Sequence, residues 1–437
     1  MALEFAQAAE AVAASDPVRR VGRVERVVGL LIEAAGIAGS VGELCTIETA
    51  AGPLPCEVVG FQAARLLLMP YRALVGVRPG DRVLASGAPL AVGVGEGLIG
   101  RVLDGLGRVI DGGETPWLRE RRSVQALAPS PLSRRPIETQ LVTGIRAIDG
   151  LAGIGEGQRV GIFAGSGVGK SVLLGMLARR AEADVIVLAL IGERGREVGE
   201  FLAQDLGEQG RTRSVVIAVT SDASALEKIK GAELAFAVAE HFRDRGQRVL
   251  LMMDSLTRYA MALREIGLAT GEPPASKGYT PSVFAALPRL LERAGSAAQG
   301  TITGLFTVLV EGDDMADPVA DTARSILDGH LVLSRRLATA GQYPALDVLE
   351  SVSRLFTAVV PPAEVERARS LLAAMALYRE NEDLIQIGAY PAGSSAEIDR
   401  AIALRPGWQR FLRQARDEHS GLAATRAALA ALLASAA

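Results

Sequence analysis

The 437 residues include 49% hydrophobic and 22% charged side chains, the balance of a soluble globular chain with at least one large core. A formal net charge of -3 and an aromatic content of 4% argue against a protein that coats nucleic acid or stacks bases along an extended platform. Two cysteines are too few for a disulfide framework, no apolar run reaches the ~18 residues of a membrane span, and Met1–Glu10 lacks the basic start of a secretory leader, so the expectation is a cytoplasmic chain with reduced thiols.

Residues 1–18 are Ala-rich, and Leu3, Phe5, Ala8 and Val12 can share one helical face, which reads as a short docking segment, although a frayed terminus explains them as well. From 19 to 90 the chain reads as short strands divided by Gly and Pro: Val21–Val28, Leu30–Ala35, Glu43–Glu48, Glu57–Phe61 and Ala64–Met69. Strands of that length at that spacing predict a small β-barrel, with Cys45 and Cys56 on a strand pair. From 91 to 360 a Gly-rich stretch, Gly100–Gly112, and a Pro- and Arg-containing connector lead into a new pattern. Apolar runs of strand length (Arg159–Ala164, Val185–Ile191, Val215–Thr220, Val249–Met253, Gly304–Val310) alternate with helical stretches, as in an α/β domain with a buried parallel sheet. Beyond Pro361-Pro362, residues 361–437 read as helices only: Ala363–Tyr378, Ser395–Ala403, and Gly407 to the end.

The chemistry concentrates in the α/β region. Ala164, Gly165, Ser166, Gly167, Val168, Gly169, Lys170 and Ser171 follow an apolar run and lead through Val172 into a helical stretch. Strand, Gly-rich loop and helix in that order form a phosphate-binding loop, whose N–H groups and helix terminus converge on phosphate oxygens. Lys170 is placed to reach the β- and γ-phosphates and Ser171 to hold Mg²⁺. Position 164 is Ala where the strict pattern has Gly; a small residue ending a strand should be tolerated there. Asp254 ends the apolar run Val249–Met253, at the sheet edge where ligands bind, and is expected to hold the Mg²⁺ shell through water. Glu193 comes after the loop by one helix and one strand, so a single crossover brings its carboxylate to the same edge, where it can polarise a water. Glu197, a turn further on, is the rival, although a solvated helix position explains it as well. Arg258, four residues past Asp254, faces the same way if a helix starts at Ser255.

Taken in order, Ala164–Ser171, Ile191–Val198, Asp254–Tyr259, Pro281–Phe284, Glu311–Met315, Ser325–His330 and Tyr343–Asp347 resemble the motifs of the type III secretion ATPases, and Gly271–Ala275 is similar to the flagellar protein-export branch. The resemblance covers at least residues 20–405. It implies a barrel, a RecA-like P-loop ATPase core and a C-terminal helical domain, homologous to the rotary ATP synthase subunits. It further implies ATP hydrolysis with Mg²⁺ in a homohexameric ring, with sites between subunits. Glu193 is then the catalytic carboxylate, Arg194 and Arg258 are site arginines, Arg354 is a finger reaching the neighbour's γ-phosphate, and Tyr390 lies near the adenine. The implied partners are a stator protein that regulates through the N-terminal segment, export chaperones, membrane proteins of the export gate and a stalk protein, with peripheral association at the cytoplasmic membrane. The acidic lean of residues 1–16 weighs against direct lipid binding. An injectisome ATPase and a catalytic or nucleotide-holding rotary subunit are the alternatives, and a termination-type helicase motor is disfavoured by the charge and the motifs.

Overall fold

The computed structural model describes residues 21–310 and 317–435. The docking segment expected at 1–18 and the stretch Glu311–Met315 lie outside them.

Six strands close the barrel: β1 Val21–Val28, β2 Leu31–Ala35, β3 Glu43–Thr49, β4 Gly52–Gln62, β5 Arg65–Pro70 and β6 Arg82–Pro89, in the order β1-β2-β5-β4-β3-β6. Alternating residues such as Ile32, Ala34, Ile47, Val58, Leu68 and Val83 fill its interior, as the period of two demands. Cys45 pairs directly with Cys56 across β3 and β4, and both are buried free thiols. The sequence pattern reads Gly52-Pro53 as punctuation, yet β4 runs through it. Pro53 and Pro55 pair only with β3, because β5 joins β4 no earlier than Cys56. The Pro55 carbonyl accepts from the Tyr71 N–H, on the side away from β3, so neither proline removes a ladder bond.

The central sheet has nine strands. Those that matter are β7 Val102–Leu103, β8 Arg159–Ala164, β9 Val185–Glu193, β10 Ser214–Thr220, β11 Arg248–Asp254, β12 Thr301–Leu309, β13 Gly329–Leu333 and β14 Leu346–Ser353. Their spatial order is β14-β13-β8-β12-β11-β9-β10-β7, and all pairings along it are parallel except β13 with β14. The two-residue β7 comes from the Gly-rich stretch that reads as connector, and it caps the sheet's edge beside β10. In β9, Ile186, Leu188 and Leu190 enter one core while Val185, Val187, Ala189 and Ile191 enter the other. Burial on both faces explains the unbroken apolar run.

Helices α1 Lys170–Arg180, α2 Gly195–Glu200, α3 Ala225–Arg243 and α4 Leu256–Ala269 carry the crossovers that position the site. Three more close the chain: α5 Pro362–Gln386, α6 Ala396–Leu412 and α7 Leu422–Ala434. The break expected between Ala403 and Gly407 is absent. α6 continues through Pro406, since Trp408, Phe411 and Leu412 beyond it are buried in the core and Trp408 meets Tyr378 edge-on at 5.8 Å. Burial of three large side chains outweighs the roughly 3 kcal/mol that an interior proline costs a helix.

Candidate active site

β8 ends at Ala164, buried to 1% exposure, and the chain turns through Gly165–Gly169 into α1. Gly167 and Gly169 take positive φ (74° and 88°), where a side chain would be strained. Val168 is buried beneath the loop, whereas Ser166, Gly167 and Ser171 stand exposed. α1 opens at Lys170, so its free N–H groups and positive dipole end face the same space as the loop.

Two strands bring acids to this edge. Asp254 ends β11 and is 5% exposed. Its Oδ1 accepts from the Lys170 ammonium at 2.5 Å and from the Thr307 hydroxyl of β12 at 2.7 Å. Glu193 ends β9, with Lys170 Nζ 4.0 Å from its Oε1. That oxygen is buried and has no hydrogen-bond partner. Burial pushes the Glu193 carboxyl up to about 7, the nearby Asp254 carboxylate pushes the same way, and Lys170 opposes both. Glu197 on α2 also acts to raise it and lines the same cleft, while its partly exposed carboxylate pairs with Arg194 at 3.0 Å.

Arg258 lies one turn into α4, whose Ser255 side chain caps the helix by accepting the Arg258 N–H. Its side chain crosses Gly192, where a Cβ would sit 3.0 Å from the Arg258 Cβ; Gly192 itself has φ 74° at a register shift in β9. This close approach explains a glycine immediately before Glu193. Arg258 Nε is buried and unpartnered.

These groups line a cleft of about 730 Å³: the phosphate-loop residues, Ser171, Val172, Glu193, Arg194, Glu197 and Arg258. Ser171, Glu193, Glu197 and Asp254 also line a smaller adjoining space of about 160 Å³. Two predicted residues stand apart. Arg354 comes directly after β14, which runs antiparallel to β13, so it lies at the sheet edge opposite the loop; it is exposed and donates to the Arg324 carbonyl at 3.3 Å. Tyr390 sits in the α5–α6 turn, its hydroxyl donating to the Ser395 carbonyl at 3.0 Å and contacting Asp399 Oδ1 at 3.1 Å, and it does not line the cleft. The aromatic beside the loop is Tyr343, half exposed, whose ring would lie 3.3 Å from a Cβ on Gly169. Tyr343 begins the motif Tyr343–Asp347, but nothing in its spacing points to the loop. Sequence order does not single out Thr307 either; a hydroxyl inside the apolar run Gly304–Val310 is the signal for it.

A phosphate loop on a mostly parallel sheet, with a strand-end aspartate and a partly buried glutamate converging on its lysine, defines a P-loop ATPase. Residues 144–353 match the nucleotide-binding domain of the ATP synthase alpha/beta family, and residues 360–431 match the C-terminal domain of the T3SS EscN ATPase. The chain is 52% identical over 421 residues to the flagellum-specific ATP synthase of Bacillus subtilis, covering 96% of each chain. It is 52% identical over 404 residues to the type 3 secretion system ATPase of Xanthomonas euvesicatoria, covering 92% of this chain and 91% of that one. The solved structure of the assembled ATPase EscN from enteropathogenic E. coli superposes with a TM-score of 0.90 at 43% identity, over 94% of this chain and all of that one; a second structure holds EscN with its central stalk EscO. The chain belongs to the family of flagellum-specific ATP synthases and type III secretion ATPases.

Proposed function

We propose that the chain hydrolyses Mg-ATP at sites shared between adjacent copies of a hexameric ring, and that the turnover releases substrates from their chaperones for flagellar, type III protein export. The observation that carries the chemistry is the Lys170–Asp254–Glu193 cluster, with an unpartnered Glu193 oxygen facing a cleft that lacks its own chain's Arg354.

In the hydrolytic reading Lys170 exchanges Asp254 for the β- and γ-phosphate oxygens. Glu193 accepts a hydrogen bond from the attacking water and aligns it with the γ-phosphorus. The residues present fit Mg²⁺: Ser171 offers an exposed hydroxyl that would hold the ion, and the Asp254 carboxylate lines the same adjoining space and would hold its water shell. Mg²⁺ suits such a site, because it keeps waters and substrate phosphates as most of its ligands. When bound, it neutralises charge on the transferring phosphoryl group. Arg194 and Arg258 complete the positive lining, and the Tyr343 ring supplies an apolar face for the base in place of Tyr390. Arg354 of the adjacent copy stabilises the transition state, a contribution worth ~10³–10⁵ in rate elsewhere.

A stalk threading the ring, a stator at the N-terminal segment, and export-gate proteins at the cytoplasmic face of the membrane are the partners of this reading. No helix among the described residues is long and apolar enough to cross a membrane.

Mixing two inactive variants tests the shared site. Glu193→Gln lacks the carboxylate and Arg354→Ala lacks the finger, so each alone should hydrolyse little ATP. Co-assembled, an interface between an Arg354→Ala copy donating Glu193 and a Glu193→Gln copy donating Arg354 is intact. Partial recovery of activity is expected; none in a mixed ring of proven stoichiometry refutes the trans arrangement.

A further inference from the structure

A further cavity, of about 270 Å³, adjoins the nucleotide cleft and shares Gly192, Ser221 and Arg258 with it. It is lined by three cations, Arg258, Lys228 and Arg264, against one carboxylate, Glu265. No single feature makes it a site, but two observations together do. The first is an excess of positive charge in a concave, partly desolvated space, where fields act over a longer range than in bulk water. The second is unspent donor capacity. Arg258 Nε is buried with no partner, and Arg258 Nη1 reaches only the Met261 sulfur, a weak acceptor, at 3.9 Å. Lys228 gives one of its three protons to the Ser221 carbonyl at 2.8 Å, and Arg264 lies over the Tyr279 ring at 5.2 Å without spending its N–H donors on that face. Three cations with donors to spare lining one space favour an acceptor-only ligand.

We propose that this cavity is a product subsite that holds cleaved orthophosphate, or another tetrahedral oxyanion, on Arg258, Lys228 and Arg264 before release. The proposal rests on ATP hydrolysis at the Lys170–Glu193 site and concerns the step after bond cleavage. Arg258 lines both spaces, so a phosphate leaving the γ-position keeps one guanidinium as it moves. Gly192 also lines both spaces, and the Arg258 side chain packs across it, so this guanidinium stands at the boundary between them. Once there, phosphate is separated from ADP, and the reverse reaction is disfavoured.

Phosphate inhibition of ATP hydrolysis by the full-length chain, followed through ADP formation, tests it. Lys228→Gln removes a cation outside the reacting cluster and should raise the phosphate concentration for half-inhibition about three- to fivefold, the size of one screened ion pair. Glu265→Gln removes the one acid that lines the cavity among the described residues and should lower that concentration by a similar factor, while both variants keep the KM for ATP within about twofold of the parent. Sulfate should inhibit in the same order, and chloride at equal ionic strength should not. Unchanged inhibition in both variants, shifts of the same sign, inhibition by chloride as strong as by phosphate, or no inhibition of the parent chain at any concentration each overturns the subsite. A variant that folds and binds ATP yet no longer hydrolyses it also overturns it, because the residue then serves the chemical step. If one variant fails to fold, the other decides. Absence of ATP hydrolysis in the parent chain would instead remove the underlying reading.

Discussion

Glu193 is where burial and function meet most directly. Its carboxyl is pushed up to about 7 by burial and by Asp254, yet a water-orienting base must be ionised. The kcat/KM for ATP, which reports the free enzyme, should therefore fall on an acid limb centred near 7. A profile flat from about pH 6 to 8 would deny Glu193 the role. Stability has the opposite sign. A folded-state value above the unfolded one means the fold favours the protonated form; that stabilisation is complete below the ordinary carboxylate range and is lost as pH rises through about 7. Glu193→Gln mimics the protonated form, so it should keep ATP binding, lose turnover by about 10²-fold or more, and melt no lower than the parent at pH 8. Nucleotide titration, a turnover assay and a melt on one sample check all three, and retained turnover would shift the role to Glu197. Among residues, the legible ones are those whose roles depend on local order along the chain. Strand, loop and helix locate Lys170, and one crossover locates Glu193. Tyr390 is implied near the adenine by the resemblance alone, and Tyr343 beside the loop is not legible from spacing, because which aromatic reaches the loop depends on how the chain folds back around β14.

Among elements, α3 ties the barrel to the ATPase core. Lys230 on α3 is buried and contacts Glu57 of β4 at 3.0 Å and Glu233 at 2.9 Å; Tyr71, just past β5, donates to the same Glu57 at 2.6 Å. Burial pushes the Glu57 carboxyl up, while the two acids hold the Lys230 ammonium charged against its own desolvation. Ser224, the cap of α3, also donates to the Tyr71 carbonyl at 2.9 Å. Removing one member leaves the others buried without their counter-charge. Lys230→Met should cost about 3–5 kcal/mol, the range for breaking a buried ion pair from one side. A loss of under about 1 kcal/mol in stability, read from denaturant unfolding, would mean that water repairs the gap. Element type is legible wherever burial on both faces gives unbroken apolar runs. Elsewhere single residues mislead. Pro53 and Pro55 suggest a turn but sit where β4 is paired in a ladder with β3 alone, before β5 joins it, and Pro406 suggests a break that the buried Trp408 and Phe411 override. β7 is illegible because two residues carry no period; only the free edge of β10 makes them a strand.

Over the whole molecule, the position of Arg354 decides whether one chain can hold a complete site. It is exposed at the edge of the sheet opposite the phosphate loop, and its guanidinium contacts a backbone carbonyl. Folding of one chain does not carry it to its own nucleotide. If the site is completed by a neighbour, hydrolysis is a property of the assembly, and specific activity must rise with protein concentration until rings are saturated. The linkage also runs in reverse: a nucleotide gripped by two copies binds the ring more tightly than the monomer, so it must favour assembly by the same factor. A slowly hydrolysed ATP analogue should therefore move the concentration at which native mass shows rings downward, and Arg354→Ala should weaken that shift without unfolding the monomer. Two results would contradict the shared site. One is a concentration-independent rate from a proven monomer. The other is an analogue that binds with equal affinity below and above the assembly concentration.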